Sequence, residues 1–160
     1  MLGRDYGGQE CSIARTLEVV GERWTLLVLR ESLLGTLRFD DFQKRLGIAR
    51  NVLQARLERL VEEEVLVRRL YQERPPRYEY VLTEAGRDLT PVLIALMRWG
   101  DVHRAPARPP ALVRHDGCGG DVTAALTCEL CGASLTAAEL DVNDGPGADD
   151  RGSRAVRAVA

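Results

Sequence analysis

Between Phe39 and Glu63 two helical repeats of apolar residues are separated by a single glycine, and after Glu64 the repeat shortens from 3.6 residues to two. Few folds accommodate that order. Phe39–Leu46 reads as a short helix closed by Gly47, the residue type that most readily turns left-handed at a helix end. Ile48–Glu63 reads as a longer helix, with Val52 or Leu53, Leu57 and Leu60 on one stripe and Asn51, Gln54, Ala55 and Glu58 on the other. Two helices joined by a glycine turn predict a helix-turn-helix. Val65–Tyr71 and Arg77–Leu82 are β-branched or aromatic runs flanking Gln72-Glu73-Arg74-Pro75-Pro76. They predict a two-stranded hairpin with a stiff, basic tip, the wing of a winged helix.

The flanking segments complete the frame. Ser12 is placed to cap a first helix carrying Ile13, Leu17 and Val20, and a second helix after Gly21 runs through Trp24, Leu27, Val28 and Glu31 to Leu33, ended by Gly35. Thr83 and Gly86 open a final helix with Leu89, Val92, Leu93, Leu96 and Trp99 on a stripe too wide for one small domain to hide, and Pro91 should start or kink it. The predicted class is α+β and mainly helical. A winged helix-turn-helix over residues 11–104 is preceded by a flexible arm at 1–10. It is followed by a proline-rich linker at 105–114, a small zinc-ribbon-like element at 115–144 and a disordered tail at 145–160.

Charge divides the chain in the same place. Residues 1–114 hold 19 Arg/Lys against 16 Asp/Glu, whereas 115–150 hold eight Asp/Glu and no Arg or Lys. The basic excess falls on residues 38–60 and on the wing, which suits a phosphate backbone. Arg50, Asn51 and Gln54 on the exposed face of the longer helix are side chains suited to bidentate contact with guanine or adenine. Arg56 and Arg59 serve either as phosphate contacts or as internal salt-bridge partners, and Arg38, Arg74 and Arg77 complete the candidate DNA-binding set. Apolar runs such as Leu26–Leu29 are far below membrane-spanning length, and no signal-peptide core follows Met1, so a cytoplasmic protein is expected.

The wording of the sequence adds to this. Cys11-Ser12-Ile13, Val20-Gly21-Glu22-Arg23-Trp24, Leu29-Arg30-Glu31, Phe39-Asp40-Asp41-Phe42, Gly47-Ile48, Leu53 with Arg56-Leu57, and Pro75-Pro76-Arg77-Tyr78-Glu79-Tyr80-Val81-Leu82-Thr83 with Gly86 and Trp99-Gly100 resemble the HxlR family of MarR-like winged-helix transcription regulators over about residues 10–103. The resemblance implies double-stranded DNA as partner, a homodimer joined through the first and last helices, a palindromic operator, and more often a repressor than an activator. One departure is visible: Glu64 stands where such proteins usually carry glycine at a positive-φ position.

His115-x-x-Cys118-Gly119 and Cys128-x-x-Cys131-Gly132 form a second constellation. A C-x-x-C turn brings two sulfurs to one ion, and two such knuckles supply the four ligands of one structural Zn2+. Asp116, Asp121 or His103 are alternatives to His115 as fourth ligand, and a rubredoxin-like iron site would want four sulfurs. Cys11 matches a cysteine that in some HxlR-like regulators senses electrophiles or oxidants. Arg15, one turn on, would lower its pKa, and a structural role under the first helix is the other reading. No catalytic residue is assigned. The functions in competition are a dimeric DNA-binding regulator, a metal or thiol redox-responsive winged-helix protein-interaction module, and an enzyme built on the Cys/His cluster.

Overall fold

In the computed structural model of the chain, which describes residues 11–104 and 109–141 and the backbone of 142 and 156–157, the chain divides after Arg108 into two compact units. The first unit runs α1 (Ser12–Val20), α2 (Thr25–Leu33), α3 (Phe39–Leu46), α4 (Arg50–Glu62), β1 (Leu66–Gln72), β2 (Arg77–Leu82), α5 (Glu84–Arg87) and α6 (Thr90–His103). The arm expected at 1–10 and residues 105–108 of the expected linker lie outside the described residues.

Val28 and Leu29 of α2, Phe42 of α3, and Leu53, Leu57 and Leu60 of α4 have no exposed surface, and Ile48, Val65 and Leu66 close the same core. Within it lies one buried carboxylate. Glu31 is met by Arg30 Nη2 at 2.7 Å and by Arg45 Nη1 at 3.7 Å, and the Thr36 hydroxyl donates to it at 3.5 Å. A buried charge is tolerated only when paired in this way, and because Arg45 belongs to α3 the pairing also fastens α3 to α2.

Two helices end in the same hydrogen-bond pattern, one with glycine and one without. At the end of α2, Gly35 has φ +85°, its N–H donates to the Ser32 carbonyl and the Thr36 N–H to that of Glu31. At the end of α4, Glu64 has φ +55°, its N–H donates to Val61 and the Val65 N–H to Leu60. Both are Schellman closures, and in the second the apolar pair that normally accompanies the motif is Leu60 with Val65, both in the core. The departure at Glu64 is therefore a strained residue at a required left-handed position.

The hairpin pairs Leu66 with Leu82 through Leu70 with Tyr78, then shifts at Tyr71 before Gln72 meets Arg77. The connection between α2 and α3 lies along β2, since the Tyr80 N–H donates to the Leu37 carbonyl and Arg38 bridges Glu79.

Four expectations need correction. Ser12 is the first residue of α1 and Cys11 occupies the capping position, because Cys11 has extended backbone and already accepts the Arg15 N–H through its carbonyl. The expected final helix is two helices. The Thr83 hydroxyl accepts the Gly86 N–H to cap α5, and Pro91, lacking an N–H, cannot bond the Arg87 carbonyl, which takes the Thr90 hydroxyl at 2.6 Å instead. In the second unit, residues 113 and 114, read as the end of the linker, form a hairpin arm: Val113 accepts the Val122 N–H and Arg114 bridges Asp121. Beyond it come β3 (Leu126–Thr127), β4 (Ser134–Leu135), a 3-10 turn at Ala137–Glu139 and β5 (Asp141–Val142). The last pairs with β6 (Val156–Arg157), so a short piece of the segment expected as a disordered tail is strand. The rest of that tail lies outside the described residues.

Relieving the left-handed strain gains about 1–2 kcal/mol and the added chain entropy of glycine returns about 0.4–1, so Glu64→Gly is expected to stabilise by roughly 0.5–1 kcal/mol. Gly86 behaves oppositely. A Cβ there would collide with the Val65 carbonyl oxygen and come within 2.8 Å of Leu82 Cδ2, so Gly86→Ala should cost about 1–3 kcal/mol. Urea-unfolding midpoints of the two variants against wild type check both signs.

Candidate nucleic-acid interface

Gly47, at φ +62°, reverses the chain after α3, and Ile48 drops into the core so that α4 starts across the end of α3. The buried Leu53, Leu57 and Leu60 set the rotation of α4 about its axis. Arg50, Asn51 and Gln54 consequently face solvent on its first turns. The Arg50 guanidinium lies 4.6 Å above the Phe39 ring and 3.6 Å from an Asp40 oxygen, and Gln54 Nε2 donates to Glu58 Oε1 at 2.9 Å. Asn51 makes no side-chain bond among the described residues and is the unencumbered amide of the helix.

A groove of about 370 Å³ separates α4 from the wing, lined by Phe39, Arg50, Gln54, Glu58, Arg68 and Tyr80. Burial pushes the Tyr80 phenol above its ordinary pKa, so it is a neutral hydroxyl there. On the wing, Arg74 and Arg77 are exposed and, among the described residues, carry no ion pair. Arg38 lies 4.4 Å above the ring of Tyr71 and 3.5 Å from Glu79 Oε1. Glu79 is held mainly by Arg69, which donates to it at 3.0 Å and keeps its carboxyl below the usual carboxylate range.

Arg56 and Arg59 are salt-bridge partners rather than free cations. Arg56 reaches Glu22, ahead of α2, at 3.6 Å and is three-quarters buried, while Arg59 holds Glu63 at 2.7 Å. The candidate set omitted Arg68, which lines the groove and stacks 3.5 Å from the Tyr78 ring, and Lys44, exposed on α3. The basic excess on the wing and on α3 was the signal that contained them.

Cys11 is exposed at the open end of α1. It makes no side-chain capping bond, but the amides of Ala14 and then Ile13 hold its thiol below the ordinary range; the helix end, not Arg15, is the cause. In the second unit His115 Nδ1 stands 3.2 Å from Cys118 Sγ, and the amides of Cys131 and Leu130 lower the pKa of Cys128. Among the described residues no three His, Cys, Asp or Glu side chains are gathered tightly enough to hold a metal ion, so the two pairs stand separately. No described helix is long and apolar enough to cross a membrane.

The HxlR-like helix-turn-helix family model matches residues 19–108. The HTH-type transcriptional regulator Rv3095 of Mycobacterium tuberculosis is 46% identical over 137 residues, covering 85% of this chain and 87% of that protein. Among solved structures, PA1607 superposes with a TM-score of 0.75 at 36% identity over 84% of this chain and 95% of its own. The redox regulator HypR in its oxidized form gives a TM-score of 0.55 at 31% identity over 60% of this chain and all of its own. Matched over the helix-turn-helix and the wing, and along most of its length to a named regulator, the chain belongs to the HxlR-like family of helix-turn-helix transcriptional regulators.

Proposed function

We propose that the protein is a homodimeric, sequence-specific repressor that places α4 of each protomer in the major groove of a palindromic operator. The observation that carries this is the exposed amide of Asn51 on a helix rotated outward by its buried leucines, together with a wing tip whose Arg74 and Arg77 have no acidic partner among the described residues. In this reading Asn51, Gln54 and Arg50 meet base edges, and Arg74, Arg77 and Arg38 meet phosphates. Arg56 ties the helix to Glu22 ahead of α2, and Arg59 pairs within the helix's own end with Glu63.

The dimer is supported by the apolar surface that the first unit leaves uncovered. Ile13 and Leu17 of α1 and Val92, Leu96, Trp99 and Val102 of α6 are all exposed, and α6 buries none of its residues. A two-fold axis through such a pair of helices sets two α4 helices on half-sites about 34–36 Å apart.

A thiol-responsive mode is favoured by one observation, the exposed Cys11 with its lowered pKa, and the likeness to the redox regulator HypR agrees with it. A small electrophile or oxidant would then be the signal.

Titration at physiological salt against DNA from upstream of the gene and its neighbours, with scrambled duplex as competitor, is expected to give a preference of about a thousandfold or more, at two chains per site. Equal binding to all duplexes, or none, would instead favour a protein-interaction module. Asn51→Ala should reduce discrimination by about 1–3 kcal/mol at one base-pair position, and Arg77→Ala should weaken all sequences alike and lower the salt slope by about 0.9 per lost phosphate contact. Trp99→Arg should give a monomer by light scattering that keeps its circular dichroism and loses operator affinity. Because the Cys11 pKa is lowered, its alkylation rate should level off at a pH below the ordinary thiol range, and the alkylated protein should bind its operator less tightly. Unchanged affinity after complete modification would remove the thiol mode.

A further inference from the structure

Residues 113–122 and 126–135 are two copies of one hairpin. His115 N–H donates to the Gly120 carbonyl at 2.9 Å, and Cys128 N–H donates to Ala133 at 2.9 Å. Gly119 N–H returns to the His115 carbonyl at 2.8 Å, and Gly132 N–H to Cys128 at 2.9 Å. Both glycines have φ +71°. The flanking residues keep the same offset, with Arg114 opposite Asp121 in the first copy and Thr127 opposite Ser134 in the second. In each copy a ligating residue precedes a turn that brings Cys118 or Cys131 round beside it, so His115 occupies the place that Cys128 takes in the repeat.

The second unit also lacks an apolar centre. Every side chain described between Pro109 and Asp141 is exposed or only partly covered, and Leu112, Leu126 and Leu130 are open to solvent. A unit this small does not hold a fixed fold by burial alone; metal ligation is one of the few sources of stability open to it.

We infer that His115, Cys118, Cys128 and Cys131 close around one zinc ion per chain, the two like-bonded knuckles each contributing a pair of ligands. Tetrahedral bonds of about 2.3 Å to sulfur and 2.0–2.1 Å to nitrogen would set His115 Nδ1 and Cys118 Sγ about 3.6 Å apart, close to the 3.2 Å at which they already stand. Since the pairs stand separately, closure of one hairpin on the other accompanies binding. Three thiols lose their protons to the solvent as the ion enters, giving a three-sulfur, one-nitrogen site of net charge minus one. Four protein ligands leave no position for water or substrate, so the ion is structural. His115 takes precedence over Asp116 and Asp121 because only His115 occupies the repeat position.

The full chain, purified under reducing conditions without chelator, is expected to carry close to one equivalent of zinc by elemental analysis. Replacement by Co2+ should give the intense visible bands of a tetrahedral thiolate site, with sulfur-to-metal charge transfer for three sulfurs. His115→Cys should retain the metal and increase that charge transfer, a gain that a misfolded variant would not give. Cys118→Ser and Cys131→Ser should each lower zinc below about a tenth of an equivalent, while Asp116→Ala and Asp121→Ala should leave it in place. Less than half an equivalent of zinc together with no tetrahedral cobalt spectrum would overturn the site. Zinc retained in both cysteine variants would do the same, and loss of zinc in Asp116→Ala or Asp121→Ala alone would overturn the assignment of His115.

Discussion

The angular setting of α4 governs everything this protein presents to a partner, and three leucines fix it. Leu53, Leu57 and Leu60 are completely enclosed against Phe42, Val28 and Leu29. Truncating a leucine in such a place costs about 2–5 kcal/mol, and a one-residue slip of the buried stripe would turn the whole helix by about 100°. Asn51 would then lie against the body of the protein. The same leucines determine how the helix ends, since Leu60 receives the Val65 N–H in the left-handed closure at Glu64. That closure delivers the chain to Leu66, the one buried residue of β1, from which the wing extends. Core packing thus sets the helix, and the helix end sets the wing.

The carboxyl-terminal side of the wing returns to the same point. Thr83 donates its hydroxyl to the Glu64 carbonyl at 2.6 Å and its N–H to that of Val65 at 3.1 Å, and Gly86 packs on the Val65 carbonyl. The hairpin is thus tied at its base through Thr83 and along β2 through the Leu37 carbonyl, while its tip is exposed.

Much of this was legible in the sequence because it is periodic. The leucine stripe, the glycine before Ile48, the change of period at Glu64 and the hairpin runs are local signals, and the structure places the corresponding elements within two residues of where those signals set them. What escaped is long-range or composite. Gly86 packs against the Val65 carbonyl twenty-one residues away, and Arg56 pairs with Glu22, which no helical repeat connects to it. The Cys11 thiol is tuned by the backbone amides of the helix it precedes, a property of geometry that side-chain spacing to Arg15 does not reveal. In the second unit the His-x-x-Cys and Cys-x-x-Cys spacing was plain, but the proline-rich composition before His115 concealed that residues 113 and 114 are already hairpin.

The pairing of the surface arginines bears on how affinity and discrimination divide. Exposed ion pairs contribute about 0–1 kcal/mol, so Asp40 orients Arg50 without holding it against a phosphate or a base edge. Arg38 shares Glu79 with Arg69, and Arg69 is the closer of the two; when Arg38 turns outward, the carboxylate keeps a partner. Acidic residues on a DNA-facing surface therefore need not oppose binding. They hold flexible cations in one place until a denser array of negative charge displaces them. Among the described residues Arg74 and Arg77 have no such partners, so on the proposed reading each phosphate contact they make would add its full release of counterions. Sequence-independent affinity would then concentrate at the wing tip and discrimination on the first two turns of α4, where Asn51 has no side-chain bond among the described residues to break first.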